Sequence, residues 1–224
     1  MQKILLFITS PIGGKIIMAL SGVIIIIFLL GHALGNLLIF SSQSSLNSYA
    51  HWLQQSSFLW VFRFTMLFLL LLHVFLAVRI YLQNRSARIA PYFISKDIQL
   101  SLSSKTMFLT GLLTLVFIFF HIAHLTIGWV STTSFTELDN NQMIDVYNNV
   151  IRGFKQPAIS FFYLFSILFM SLHLHHAVKS LFQTLGFHHE NLHKFLDYLA
   201  PALIITLMLA FISIPLSVML GLLQ

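Results

Sequence analysis

The 224-residue chain has no cysteine. That excludes a disulfide framework, thiolate metal sites, thiol catalysis and cysteine-held iron–sulfur clusters. Charge is also scarce, at 8% of residues against about 25% in ordinary soluble domains. Too little charge is present to solvate a folded surface of this size, so a soluble enzyme, a disordered chain and a free nucleic-acid binder are all excluded. No Gly-x-Gly-x-x-Gly stretch marks a dinucleotide site. The apolar run after Lys3 stops at Ser10-Pro11 with no small-residue cleavage site, so a retained N-terminus is expected rather than a signal peptide.

What is present is apolar. Hydrophobic residues make up 58% of the chain, 23 residues are Phe, and the mean hydropathy is +0.89. A bilayer core needs about 20 apolar helical residues per crossing. Five segments meet that length: 15–40, 58–82, 106–130, 158–182 and 198–222. Strands are excluded because backbone groups in lipid must bond within the segment or within a closed barrel, and these runs are too long for barrel strands. The expectation is a single all-α domain, an integral membrane bundle of five helices joined by polar connections at 41–57, 84–105, 131–157 and 186–197.

The formal net charge of +6 is distributed unevenly across those connections. Lys3, Lys15, Arg79, Arg85, Arg88, Lys96, Lys105, Lys179 and Lys194 fall on one side, nine in all, and Arg63, Arg152 and Lys155 on the other. Cytoplasmic loops carry the excess of Lys and Arg, so the N-terminus is expected in the cytoplasm and the C-terminus outside. The basic balance thus reads as a topology signal, with lipid as the partner and no nucleic acid.

Eleven histidines in so apolar a chain stand out, and seven of them lie in spans: His32, His73, His121, His124, His173, His175 and His176. Ionisable groups at membrane depth are costly and mark functional sites. A lone one is equally a hydrogen-bonding partner for a neighbouring helix, but here four helices each carry at least one. His32 lies roughly 7 Å past the middle of its span, and His121 about 4 to 5 Å past the middle of its own, both toward the outside. His73 and His173 lie about 4 to 5 Å from their mid-points toward the cytoplasm. Two layers result, each with histidines from two helices. Opposed imidazoles are the ligand set of a six-coordinate haem iron built for electron transfer. Zinc fits less well, because it takes four ligands in one cluster and deep carboxylates and thiolates are absent. Spacing alone leaves His121 and His124 as alternatives, since residues three apart share a helix face, and likewise His173 and His176. Gly31 and Gly35 flank His32 in a small-xxx-small spacing that brings helices together or clears room for a flat macrocycle.

Ordered along the chain are Gly14-Lys15-Ile16-Ile17-Met18 with Ser21-Gly22, Gly31-His32 with Gly35-Asn36, and His73-Val74-Phe75-Leu76-Ala77-Val78-Arg79. Asn84-Arg85, Ala87-Arg88, Thr110-Gly111 nine residues before His121, and His173 followed by Gln183-Thr184-Leu185-Gly186 complete the set. In these motifs the chain resembles the five-helix di-haem cytochrome b membrane anchor of succinate:quinone oxidoreductases, that is, of succinate dehydrogenase and fumarate reductase. The resemblance selects His121 over His124, and His173 over His175 and His176. It implies two haem b groups, a proximal one on His73 and His173 and a distal one on His32 and His121. It implies a flavoprotein subunit and an iron–sulfur subunit as partners, membrane quinone as substrate, a role in the electron transport of the tricarboxylic acid cycle, and a place in the bacterial inner membrane. Lys15 and Arg79 are candidate partners for proximal propionates and Arg63 for distal ones, the extra histidines being further donors. Ser21, Ser171 and His176, with Lys15 and Arg79 at the rim, are candidates for a quinone site at the cytoplasmic end. Some members of the family carry a membrane carboxylate near the proximal haem; two positions before His173 this chain has Ser171, so that proton relay is not implied. Two other classes compete: a metal transporter using His188, His189 and His193, and a different di-haem transmembrane electron carrier.

Overall fold

The computed structural model describes residues 6–7, 10–86, 102–130, 138–139, 141–186 and 190–224, with side chains described except at 102–105, 179 and 190–193. The Arg88 to Lys96 part of the basic connection, Lys3, Glu137, His188 and His189 lie outside the described residues, and the side chains of Lys105, Lys179 and His193 are among those not described.

The described residues are helical apart from turns and one isolated antiparallel bridge between Leu138 and Ile144. Five helices are long and apolar enough to cross a membrane. They are α1 (Pro11–Leu37), α3 (Phe58–Ser86), α4 (Leu102–Ile122), α6 (Pro157–Thr184) and α7 (Glu190–Met219). Two shorter helices, α2 (Gln43–Gln55) and α5 (Val146–Phe154), lie between them.

Local chemistry starts the helices where it can. Ser10 accepts a hydrogen bond from the Gly13 N–H, and Pro11 occupies the first turn, where its missing N–H costs nothing. Pro157 opens α6 in the same way. Pro201 and Pro215 sit inside α7, a position tolerated in membrane helices because neighbours re-satisfy the freed carbonyls. At its far end α4 widens into a π turn over Ala123–Ile127, closed by Gly128 at φ 75°. Only glycine takes that left-handed conformation without penalty. The third span therefore stops at Ile127, three residues short of the expected Val130.

The two polar connections that adjoin this end are not plain loops. Ser42 caps α2 by accepting from the Ser45 N–H, and Asp145 caps α5 by accepting from the Asn148 N–H. Val146, Val150, Ile151 and Phe154 then form an apolar stripe that packs into the core with Ile39, Leu46 and Phe117. Helices this short carry no 20-residue apolar run, so a count of spans overlooks them. Together α2 and α5 make a lid over one end of the bundle, here called the cap end.

Packing falls into two groups. α1 packs along α3, while α4 packs on α6 and α6 on α7; α1 joins the groups through α6 and α7. α6 is the central helix, with 44% of its apolar window buried against 6% for α3 and for α4. A second core of Ile167, Met170, Leu174, Val178, Ala200 and Ile204 holds α6 to α7. Phe64, Phe68, Leu71 and Phe75 on α3 and Phe119 on α4 stay exposed, as a lipid-facing surface requires. α3 leans chiefly on α1, and its histidine comes within electrostatic reach of α6 without the two helices packing along their length.

Candidate functional site

The span histidines assemble in two layers. On the cap side, α1 supplies His32 and α4 supplies His121, with ring centroids 5.8 Å apart and ring planes at 86°. Two imidazoles bound to opposite sides of one ion at about 2 Å each have centroids on the order of 6 Å apart. Phe28 stacks on His32 at 5.3 Å, Phe211 lies at 6.0 Å, and Phe117 stands beside His121 at 5.8 Å. Nε2 of His32 accepts from the Asn36 side-chain amide at 3.1 Å, one turn along the same helix. Any ligand of that nitrogen must displace this amide, a hydrogen bond of about 1 kcal/mol net.

His121, not His124, meets His32. The π turn begins at Ala123 and moves the residues after it around the helix axis. His124 is 2% exposed and faces Phe154 and Tyr163. Its ring fills the space beside Gly153, where a Cβ would stand 2.5 Å from Nε2.

In the opposite layer, His73 of α3 and His173 of α6 are within electrostatic reach of each other, and His176 is within reach of His173 and His175 on its own helix. Nδ1 of His73 lies 3.1 Å from the Met18 carbonyl and 3.2 Å from Ser21 Oγ. Ser21 donates its own hydrogen to Met18 O at 2.9 Å, so the proton on this side of the imidazole sits on Nδ1. Nε2 is then a bare lone pair, the form that binds metals. Among the described residues it has no hydrogen-bond partner. His173 approaches the Met107 carbonyl, yet its buried Nδ1 makes no hydrogen bond of acceptable geometry. Buried polar atoms of this kind are rare and call for an explanation.

Two glycines make room for these rings. A Cβ on Gly22 would lie 3.5 Å from Cε1 of His73, and one on Gly111 would lie 3.0 Å from Cε1 of His173. Gly22 and Gly111 thus clear room for imidazoles, and Ser21 orients one, while the Thr110 hydroxyl donates to its own helix. The Gly31/Gly35 pair acts otherwise. Gly35 receives the Tyr49 ring from α2, a Cβ there falling 2.7 Å from Cε1, and nothing lies within 4 Å of a Cβ on Gly31. Neither one brings two spanning helices together.

At the end opposite the cap, a cleft of about 450 Å³ opens between α1, α3 and α6. Ile12, Ile16, Met18 and Ile80 form apolar walls, and Lys15, Ser180, Gln183 and Thr184 supply polar groups. Of the expected quinone residues, Lys15 lines it and Ser21, Ser171, His176 and Arg79 do not. Ser21 is committed to Met18 and His73, Ser171 is buried with its hydroxyl donated to Ile167 O, and His176 is half-buried one turn beyond His173. Arg79 is half-buried at this end. Arg63 is exposed at the cap end, its guanidinium 5.1 Å from the centre of the Trp60 ring.

Among the described residues, no three His, Asp or Glu side chains gather as a metal cluster. The buried acids lie in the cap instead. Asn47, fully buried, donates to Asp139 Oδ2 and Asp145 Oδ1 at 3.0 Å each and accepts from the Tyr147 N–H at 3.0 Å. Gln43 adds a donor to Asp145 at 2.9 Å. The Asn47 amide, with the Met143 and Asn141 N–H groups, holds Asp139 below the usual carboxylate range. Burial pushes Asp145 up, but donors from Asn47, Asn148 and Gln43 outweigh it, and the net shift is down. All of these acceptors are satisfied, so the network is a clamp between α2 and the chain leading into α5. Asn47, Tyr163 and Gly153 carry no signal in a search for ligand histidines, because each acts through a contact about 30 residues or more away in sequence.

No protein-family profile, curated protein or solved structure matches this chain.

Proposed function

We propose that this chain is the membrane-anchor cytochrome b subunit of a succinate:quinone oxidoreductase, holding two b-type haems. The observation that carries the proposal is the pairing of four span histidines into two layers from four helices, with His73 locked in the tautomer that leaves Nε2 free. The residues fit the group: imidazole donors throughout, a 5.8 Å separation in one layer, glycine clearances at the other, and an orphaned Nδ1 on His173. His73 and His173 would hold the proximal haem, and His32 and His121 the distal one. Haem with two imidazole ligands supplies a one-electron couple with no open position for oxygen.

The chain's own residues do the rest. Met18 and Ser21 orient His73, and the apolar shell of Phe28, Phe117 and Phe211 keeps the other layer dry. The nine-to-three Lys/Arg bias supports a cytoplasmic N-terminus, with the cap outside; the proposed family places the chain in the bacterial inner membrane. The flavoprotein and iron–sulfur subunits would then dock at the end that bears Lys15 and Arg79. The cleft there suits a quinone head, with apolar walls for the ring and Lys15, Ser180, Gln183 and Thr184 for its carbonyls.

The test is purification of the chain with its partners from membranes. The expected result is a dithionite-reduced b-type spectrum with about two haems per chain, together with succinate-driven quinone reduction. Two haems without partner subunits would make the chain a stand-alone electron carrier. No haem, with stoichiometric zinc, would overturn the proposal in favour of a transporter.

A further inference from the structure

The cap-side layer contains a buried hydroxyl that haem ligation leaves unused. Tyr163 of α6 is 4% exposed, and its Oη lies 3.3 Å from Nδ1 of His121 and 3.0 Å from Nδ1 of His124. The ring is held edge-on by Phe154 at 4.8 Å and Phe117 at 5.2 Å. His124 is held in turn by the π turn and by the absence of a side chain at Gly153. π turns inside α-helices are frequent at functional sites.

Counting hydrogens orders this chain of three groups. A neutral imidazole has one N–H and a phenol one O–H. If Nε2 of His121 is a ligand, its proton sits on Nδ1 and is donated to Tyr163 Oη. The phenol hydrogen then goes to Nδ1 of His124, which must be bare, and the His124 proton sits on Nε2. Only one direction uses all three groups.

We infer that Tyr163 is the positioning residue of His121, and that His124 is the acceptor orienting the Tyr163 hydroxyl rather than a ligand. The pair would set the potential of the cap-side haem; this rests on the function proposed above. An acceptor on the far nitrogen fixes the ring and raises the basicity of the ligating one, which favours oxidised iron. In the opposite layer no tyrosine–histidine pair serves this role: His73 donates to a backbone carbonyl and Nδ1 of His173 has no partner.

The experiment is a redox titration of the haem-loaded protein with low-temperature EPR. The signal absent from His121→Ala identifies the cap-side haem. Tyr163→Phe is expected to keep both haems and to raise the potential of that one alone. A tenfold loss of preference for oxidised iron corresponds to about 59 mV. His124→Gln, whose amide oxygen still accepts from the phenol, should restore a near-native potential, whereas His124→Leu should shift it in the Tyr163→Phe direction. Should Tyr163→Phe fail to accumulate, the His124 pair reads the same quantity. Unchanged potential and EPR signals in Tyr163→Phe or His124→Leu with both haems present overturn the inference and leave the proposed function standing. Loss of one haem in His124→Gln makes His124 a ligand and also overturns it. A protein that carries no haem at all overturns both.

Discussion

At the residue scale the histidines divide by what their second nitrogen touches. His73 is steered by Met18 O and Ser21, His121 by Tyr163, and His173 by nothing within hydrogen-bond geometry. His73→Ala should lose one haem and keep the other at least in part, read as the haem-to-protein ratio and the surviving spectrum. Gly111 is the sharper probe. A Cβ there would press to 3.0 Å on His173 Cε1 and 3.3 Å on its Nδ1. Overpacking of this kind costs about 1–3 kcal/mol, and the ring must turn to relieve it. Gly111→Ala is expected to lower occupancy of the same haem that His73→Ala removes, while a membrane insertion assay shows normal protein levels. Equal occupancy in Gly111→Ala and wild type would separate Gly111 from the ligand's geometry. The span histidines and their helices were legible in the sequence; which of His121 and His124 meets His32 was not settled by residue spacing, because a π turn has no composition signature.

At the element scale the cap depends on one side chain. Asn47 of α2 bridges Asp139, Asp145 and the Tyr147 N–H; its removal strands Asp139 Oδ2 and the Tyr147 N–H and takes one of several donors from Asp145. A polar group left without its partner in this interface destabilises the contact between α2 and α5. Asn47→Leu should therefore free α2 and α5 from each other, measured as faster hydrogen exchange over 43–55 and 146–154 with the spanning helices unaffected. Both carboxylates titrate below their ordinary value, so their contribution to folding is complete above about pH 4 and is lost as pH falls through the depressed folded values. Protease cutting in the cap should rise below that pH in wild type. In Asn47→Leu, where each carboxylate has lost the Asn47 donor and keeps the others, cutting should be higher throughout and depend less on pH. These two helices were hidden from a search for spans because a 13-residue and a 9-residue segment carry too few apolar residues in a row to stand out. Their signals were the caps at Ser42 and Asp145, and the apolar stripe of α5.

At the scale of the whole molecule, two groups of helices share α1, and the histidines sit where the groups meet. Orientation in the bilayer decides which layer faces which compartment. Ser86 and Gln54 are exposed at opposite ends of the bundle. With a cytoplasmic N-terminus, Ser86→Cys should resist an impermeant thiol reagent in intact cells, and Gln54→Cys should be labelled. The native chain has no cysteine, so neither measurement needs a background correction. The reverse pattern would invert the topology and exchange the proximal and distal assignments.

Composition by itself determined the solvent, the secondary structure and the number of crossings. A chain with 8% charge cannot face water over most of its surface, and lipid admits only internally bonded backbone. Helical rise then placed His32 with His121 and His73 with His173 in depth, since position along a straight span follows from residue count. Rotation about the axis and the identity of lateral neighbours do not follow from that count. Only the tertiary structure placed Tyr163 between His121 and His124, gave the room at Gly35 to Tyr49, and closed one end with the Asn47 clamp. Each of these contacts joins different helices, and sequence periodicity describes one helix at a time.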